Sequence, residues 1–195
     1  DVYARVNTIF GQQDKVAAGV ARAEGADRAA VEATRGNRGL TTLMNSDAGV
    51  VIAVSYWDDP MHASNPTLTR VRERIAAAAG GDLVAENFAV AWQVPGPGPA
   101  WPGATVRVDR LHIDPAVIGE VELALHADVR QIRLSRGFSG AELMLDRTDG
   151  RAMLVTTWAA GGEVERIDAV LSRLGDAAVR TRTESYVLVR GSTPI

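Results

Sequence analysis

Two periods of apolar spacing alternate along this chain. Val16, Val20, Ala23, Asp27, Val31 and Thr34 step by three and four, which is the spacing of one helix face. Val117, Val121, Ala124, Asp128, Ile132 and Ser135 repeat that stripe. Before each stripe lies a segment rich in β-branched residues, 2–10 and 105–113, ended by Gly11 or by Asp114-Pro115 and predicted as a strand. After each stripe come Gly36 and Gly137, expected as left-handed helix C-caps, and then two strands joined by a hairpin. The second hairpin carries the Asp-Gly signal at Asp149-Gly150, and Asp47-Ala48-Gly49 is its weaker counterpart. The third strands, 50–57 and 152–158, are almost continuously apolar, so both of their sheet faces should be buried. A second helix, 67–79 or 163–174, and a fourth strand, 83–94 or 181–189, complete each half.

The two halves are copies. A shift of 101 positions superimposes Arg35-Gly36 on Arg136-Gly137, Gly49 on Gly150, Val54 on Val155 and Trp57 on Trp158, with 11 identities over the 42 positions 16–57. Between the copies, residues 94–103 hold four of the eight prolines and read as a linker. The expected organisation is therefore a first ferredoxin-like repeat (1–94), a Pro/Gly linker (95–103) and a second ferredoxin-like repeat (104–195). The fold class is α+β: two βαββαβ repeats forming a pseudo-dimeric α+β barrel within one chain, each sheet covered by helices on one face and by the partner copy on the other.

Composition narrows the chemistry. Of 195 residues, 46% are hydrophobic and 23% charged, which suits a packed core and argues against disorder. No apolar run is long enough to cross a bilayer, so a cytoplasmic protein without a membrane partner is expected, while a chain starting at Asp1 leaves a removed leader open. The net charge of −3 gives no basic field for nucleic acid. The absence of cysteine removes disulfides and thiolate chemistry. His62, His112 and His126 lack ligand spacing, so no metal is expected. No phosphate-binding glycine motif is present, and no nicotinamide, flavin or nucleotide cofactor is expected.

Arg136-Gly137-Phe138-Ser139-Gly140, Leu143-Met144-Leu145-Asp146, Asp149-Gly150 and Val155-Thr156-Thr157-Trp158 together resemble the antibiotic biosynthesis monooxygenase-like family of dimeric α+β barrels. That family usually has Pro-Gly-Phe where this chain has Arg35-Gly36-Asn37 and Arg136-Gly137-Phe138. The resemblance implies a fold used by cofactor-independent oxygenases of aromatic substrates, by haem-degrading enzymes and by proteins without known activity. Haem-degrading relatives carry a histidine and an additional tryptophan on the second helix, and residues 67–79 have neither.

Tyr3, Arg5, Asn7 and Ile9 share one face of strand one. The resemblance implies that Asn7 lines a cleft between sheet and helices, and Asn7 and Arg5 are the candidate catalytic pair, holding an ionised substrate oxygen. The alternative for Asn7 is an amide satisfied by backbone or water. Trp57, Asp27 and Tyr3 are candidate substrate-binding residues, with Trp57 equally readable as core packing. Arg107, Asp109, Asp128 and Trp158 are their counterparts in the second copy. A carboxylate inside an apolar stripe needs a partner: Arg5 or Arg35 is expected for Asp27, and Arg107 or Arg136 for Asp128. Trp101 is expected to pin the linker. The resulting functional expectation is cofactor-independent monooxygenation of a small phenolic or quinol substrate, with a noncatalytic small-ligand-binding or protein-interaction barrel as the alternative. The expected partners are a small aromatic molecule and, beyond the intrachain pseudo-dimer, a further homodimer.

Overall fold

A computed structural model describes residues 1–192, so the last three residues of the 104–195 repeat lie outside the described residues. The chain divides into two compact units, Asp1–Phe88 with the segment from Val187 onward, and Ala89–Tyr186. The first unit contains β1 (Tyr3–Phe10), α1 (Val16–Glu24), α2 (Ala26–Glu32), β2 (Asn37–Asn45), β3 (Val50–Trp57), α3 (Pro66–Ala79) and the start of β4 (Asp82–Pro95). The second unit contains the end of β4, then β5 (Thr105–Ile113), α4 (Ile118–Ile132), β6 (Phe138–Leu145), β7 (Arg151–Trp158), α5 (Arg166–Ser172) and most of β8 (Ala178–Arg190). This is the expected pair of βαββαβ repeats.

Registers match between the copies. In the first unit β3 lies antiparallel between β1 and β2, with Tyr3 opposite Trp57 and Asn7 opposite Ala53. In the second, β7 lies between β5 and β6, with Thr105 opposite Trp158 and Asp109 opposite Leu154. The end of β8 pairs with β2, Leu188 opposite Leu43, and the end of β4 pairs with β6, Ala89 opposite Leu145. The strand order is β1-β3-β2-β8 in the first unit and β5-β7-β6-β4 in the second. The near-continuous apolar run of β3 is explained by burial on both faces, since Val51, Ile52, Tyr56 and Trp57 are all fully buried.

Four local expectations need correction. The first stripe is not one helix. Gly25, at φ −85° and ψ −137°, breaks it into α1 and α2, whereas the second copy has His126 at that position and α4 runs unbroken. Glycine is the costliest ordinary residue to hold in a helix interior, about 1 kcal/mol against alanine. Second, Gly36 and Gly137 do adopt left-handed backbone (φ +82° and +80°), but in the turn beyond the helix ends, whose caps are Ala33 and Arg133. A Cβ on Gly36 would collide with His62 Nδ1 and Asp58 Oδ1, so this turn needs glycine for space as well as for φ. Third, α5 is shorter than the expected 163–174. Its counterpart α3 has better ends: Asn65 Oδ1 accepts from Thr67 N–H at 2.9 Å, Pro66 occupies the first turn, and Gly80 (φ +72°) closes it. Fourth, Trp101 pins nothing; it is 71% exposed.

Each unit has its own apolar core between helices and sheet. Ile9, Val16, Ala23, Leu40, Val51, Trp57, Leu68, Val71 and Ala79 build the first. Leu125, Val129, Leu143, Leu154, Trp158, Ile167 and Val170 build the second.

Candidate functional site

The first unit's core is incomplete. Between its sheet and its helices lies a cavity with room of about 30 Å³, enough for one or two water-sized molecules. Asn7 of β1, Ala53 of β3 and Thr42 of β2 stand opposite one another across three strands and form part of its floor. Ser55 and Leu40 form the next row. Ala23 of α1, Asp27 and Val31 of α2, and Leu68, Val71, Arg72 and Ile75 of α3 close it from the helix side.

The polar atoms at this cavity are not all satisfied. Asn7 and Thr42 are 5% and 0% exposed, yet Asn7 Oδ1 and Thr42 Oγ1 have no hydrogen-bond partner. An unmet buried polar atom costs about 1–3 kcal/mol, so two of them beside one cavity mark a place suited to a guest. Ser55 Oγ accepts from Trp57 Nε1 at 2.9 Å, which fixes the tryptophan and turns the serine hydroxyl proton elsewhere.

Charge is also uneven here. Asp27 is buried and both its oxygens are taken: Arg22 Nε donates at 3.0 Å and Arg74 Nη2 at 2.8 Å. Burial raises its pKa, but the two guanidinium bonds outweigh this and hold the carboxyl below the usual range. The expected partners, Arg5 and Arg35, are therefore replaced by Arg22 and Arg74, because the break at Gly25 sets Asp27 between α1 and α3 instead of over the strand. Arg72 donates to the Ala63 carbonyl at 2.8 Å, and burial, aided by the nearby Arg5, pushes its guanidinium down to about 10. Burial also lowers Arg5, whose Nε is buried without a partner. Among the described residues neither Arg5 nor Arg72 forms an ion pair with a carboxylate.

The second unit treats the same positions differently. Leu143 replaces Thr42, Leu154 replaces Ala53, and both are fully buried. Aligning Leu68, Val71 and Ile75 with Ile167, Val170 and Leu174 puts Leu171 at the place of Arg72 and Asp168 at that of Thr69. Asp109, at the place of Asn7, takes a two-pronged grip from Arg107: Nε to Oδ2 at 2.9 Å and Nη2 to Oδ1 at 3.1 Å. Thr183 Oγ1 also donates to Asp109, at 2.9 Å. Arg107 further binds Asp168, whose carboxyl is pushed down to about 2 by Arg107 and Arg180. With its arginine engaged there, Arg107 is not the partner of Asp128, and Arg136 spends its Nε on the Gly161 carbonyl. Asp128 instead meets Arg173 at 3.4 Å on the partly exposed side of α4. Trp158 repeats the bond of Trp57, donating to Thr156 Oγ1 at 2.9 Å, and packs edge-on to Phe138.

Of the residues singled out from the sequence, Asn7 and Asp27 line the cavity; Tyr3, Arg5 and Trp57 do not. Arg5 lies beside Arg72, and Trp57 acts on the cavity wall through Ser55. Thr42, Ser55 and Arg72 were missed. A signal for Arg72 was present: Leu68, Val71, Arg72 and Ile75 make an i, i+3, i+4, i+7 stripe in which one apolar position is an arginine.

The α+β fold of this chain, two ferredoxin-like repeats in sequence, is shared with known structures. The putative monooxygenase of Fusobacterium nucleatum subsp. nucleatum has a TM-score of 0.74 and 13% identity, covering 98% of this chain and 94% of that one. The putative monooxygenase of Lactobacillus acidophilus has a TM-score of 0.71 and 7% identity, covering 98% and 96%. An anthrone oxidase-like protein has a TM-score of 0.68 and 14% identity, covering 98% and 92%. These likenesses give the fold, the one implied by the resemblance to antibiotic biosynthesis monooxygenase-like proteins. The chain belongs to the family of the uncharacterized protein Rv2557 of Mycobacterium tuberculosis, to which it is 30% identical over 168 residues, covering 85% of this chain and 75% of that protein. The uncharacterized protein Rv2558 of the same organism is 29% identical over 148 residues, covering 74% and 62%. No protein-family profile matches the chain. Among the described residues no helix is long and apolar enough to cross a membrane.

Proposed function

We propose that the first unit's cavity is a small-molecule site and that the protein is a cofactor-independent monooxygenase of a small phenolic or quinol substrate. The observation that carries this reading is the contrast between the repeats: Asn7 and Thr42 leave unpartnered polar atoms at a cavity where the second repeat has Leu143 and Leu154 in its core. In this reading Asn7 and Arg5 stabilise the ionised substrate oxygen. The electron-rich substrate passes one electron to dioxygen, and the resulting pair combines to a peroxide. Loss of water then leaves a new carbonyl, so that one oxygen atom enters the product, the other leaves as water, and the substrate supplies all four electrons. Likeness of fold to the anthrone oxidase-like protein favours this chemistry.

The test is oxygen uptake by the full chain with anthrone and with simple quinols. The expected result is one dioxygen consumed per substrate, with a loss of at least tenfold in Asn7→Ala. No uptake above the uncatalysed rate would refute it. A second reading, noncatalytic binding of a molecule of only a few heavy atoms, is favoured by the size of the cavity, since about 30 Å³ is far below the ~300–1,000 Å³ typical of pockets for drug-sized ligands. Binding without oxygen uptake would establish that reading instead.

A further inference from the structure

The second repeat shows what its strand-one arginine requires. Arg107 is engaged by two carboxylates, Asp109 with both oxygens and Asp168 with one. In the first repeat Arg5 occupies the same register position, but Asn7 stands for Asp109 and Thr69 for Asp168, so both acids are gone. A second guanidinium, Arg72, replaces the apolar Leu171. Arg72 lines the cavity, and Arg5 projects from the same strand face as Asn7. The cavity's own carboxylate, Asp27, offers no relief because Arg22 and Arg74 occupy both of its oxygens. Two neighbouring guanidiniums, each only partly exposed and neither paired with an anion, repel each other, an arrangement a ligand's negative charge would relieve.

We infer that the ligand of the first unit bears a carboxylate, which Arg5 and Arg72 hold where the second repeat uses the side chains of Asp109 and Asp168. A carboxylate fits because Arg107 grips Asp109 through two parallel bonds, a fork that matches two coplanar oxygens. This inference rests on the cavity being a ligand site, and the experiment separates the two claims.

Binding of formate and of its neutral isostere formamide, which match the size of the cavity, to the full chain is measured by calorimetry at pH 7 and low salt, for the wild type, Arg72→Leu and Asn7→Asp. The wild type should prefer the acid by at least tenfold, and Arg72→Leu should reduce that preference to near unity. Asn7→Asp supplies the missing carboxylate internally, so it should abolish binding of the acid and melt above the wild type when ligand-free. Equal binding of acid and amide by the wild type would overturn the carboxylate inference and leave the cavity reading intact. Binding of neither would overturn both. If Arg72→Leu does not fold, Asn7→Asp decides: a melting temperature at or below the wild type would mean that Arg5 lacks no anion.

Discussion

Asp27 and Asp128 occupy equivalent positions in the two repeats, yet the structure predicts unequal consequences for Asp→Asn. Asp27 is 5% exposed and accepts two charged bonds at 3.0 and 2.8 Å, joining α2 to α1 and α3. Fully buried charged hydrogen bonds are worth about 1.5–3 kcal/mol each. Arg22 and Arg74, however, are 50% and 44% exposed, so water recovers much of what they lose, and the surface-pair range of about 0.2–1 kcal/mol each applies to their side of the contact. Asp27→Asn should therefore cost about 1–2 kcal/mol, a fall in Tm of about 2–8 °C for a chain of this size. Asp128 has a single contact at 3.4 Å with the half-exposed Arg173, and Asp128→Asn should cost no more than about 0.5 kcal/mol. Differential scanning calorimetry of both variants from pH 7 to pH 3 tests this. Because the folded Asp27 carboxyl is held below its ordinary value, its stabilisation is complete above the unfolded carboxylate range near ~4 and drains away as pH falls through the folded value. The gap between wild type and Asp27→Asn must shrink accordingly at low pH. A gap constant with pH, or an Asp128→Asn cost equal to that of Asp27→Asn, would refute the argument.

Further outcomes follow from the second unit. Leu154 is fully buried where Ala53 leaves space in the first, and Leu154→Ala should destabilise by about 3–5 kcal/mol in urea denaturation; a loss below about 1 kcal/mol would mean that the site collapses freely. The Asp168 carboxyl should titrate at about 2 by carbon-detected NMR and return toward 3.8 in Arg107→Met. Any stability it lends, modest because the side chain is half exposed, is present above its unfolded value and is lost as pH falls through about 2.

The duplication and most strands were legible because the apolar runs of β3 and β7 and the paired glycines are local signals. The ranges 50–57 and 105–113 match β3 and β5 at both ends. The position of Asn7 at a cleft was likewise available from strand alternation together with family resemblance. Pairings were less accessible. Which arginine meets Asp27 depends on the bend at Gly25 and on the approach of α3, 47 positions away from the carboxylate at Arg74. Arg72 reads in the sequence as one of the basic cluster Arg70, Arg72 and Arg74, whereas the feature that marks it as a site residue is a cation in an apolar stripe. The expected 163–174 overruns α5 because the apolar spacing continues past Ser172 through Leu174, while the backbone there has already turned.

The contrast between Thr42 and Leu143 has a consequence for how such a protein can change. In an assembly of two identical chains, every substitution is inherited by both halves, so a residue that fills one cleft fills the other. Joining the halves in one polypeptide breaks that symmetry. One copy can then adopt the tight packing of Leu143, Leu154 and Leu171 while the other keeps its void and its unneutralised arginines. Mutational robustness and adaptability come to reside in different halves of the same molecule, and drift in the second copy need not alter what the first can bind.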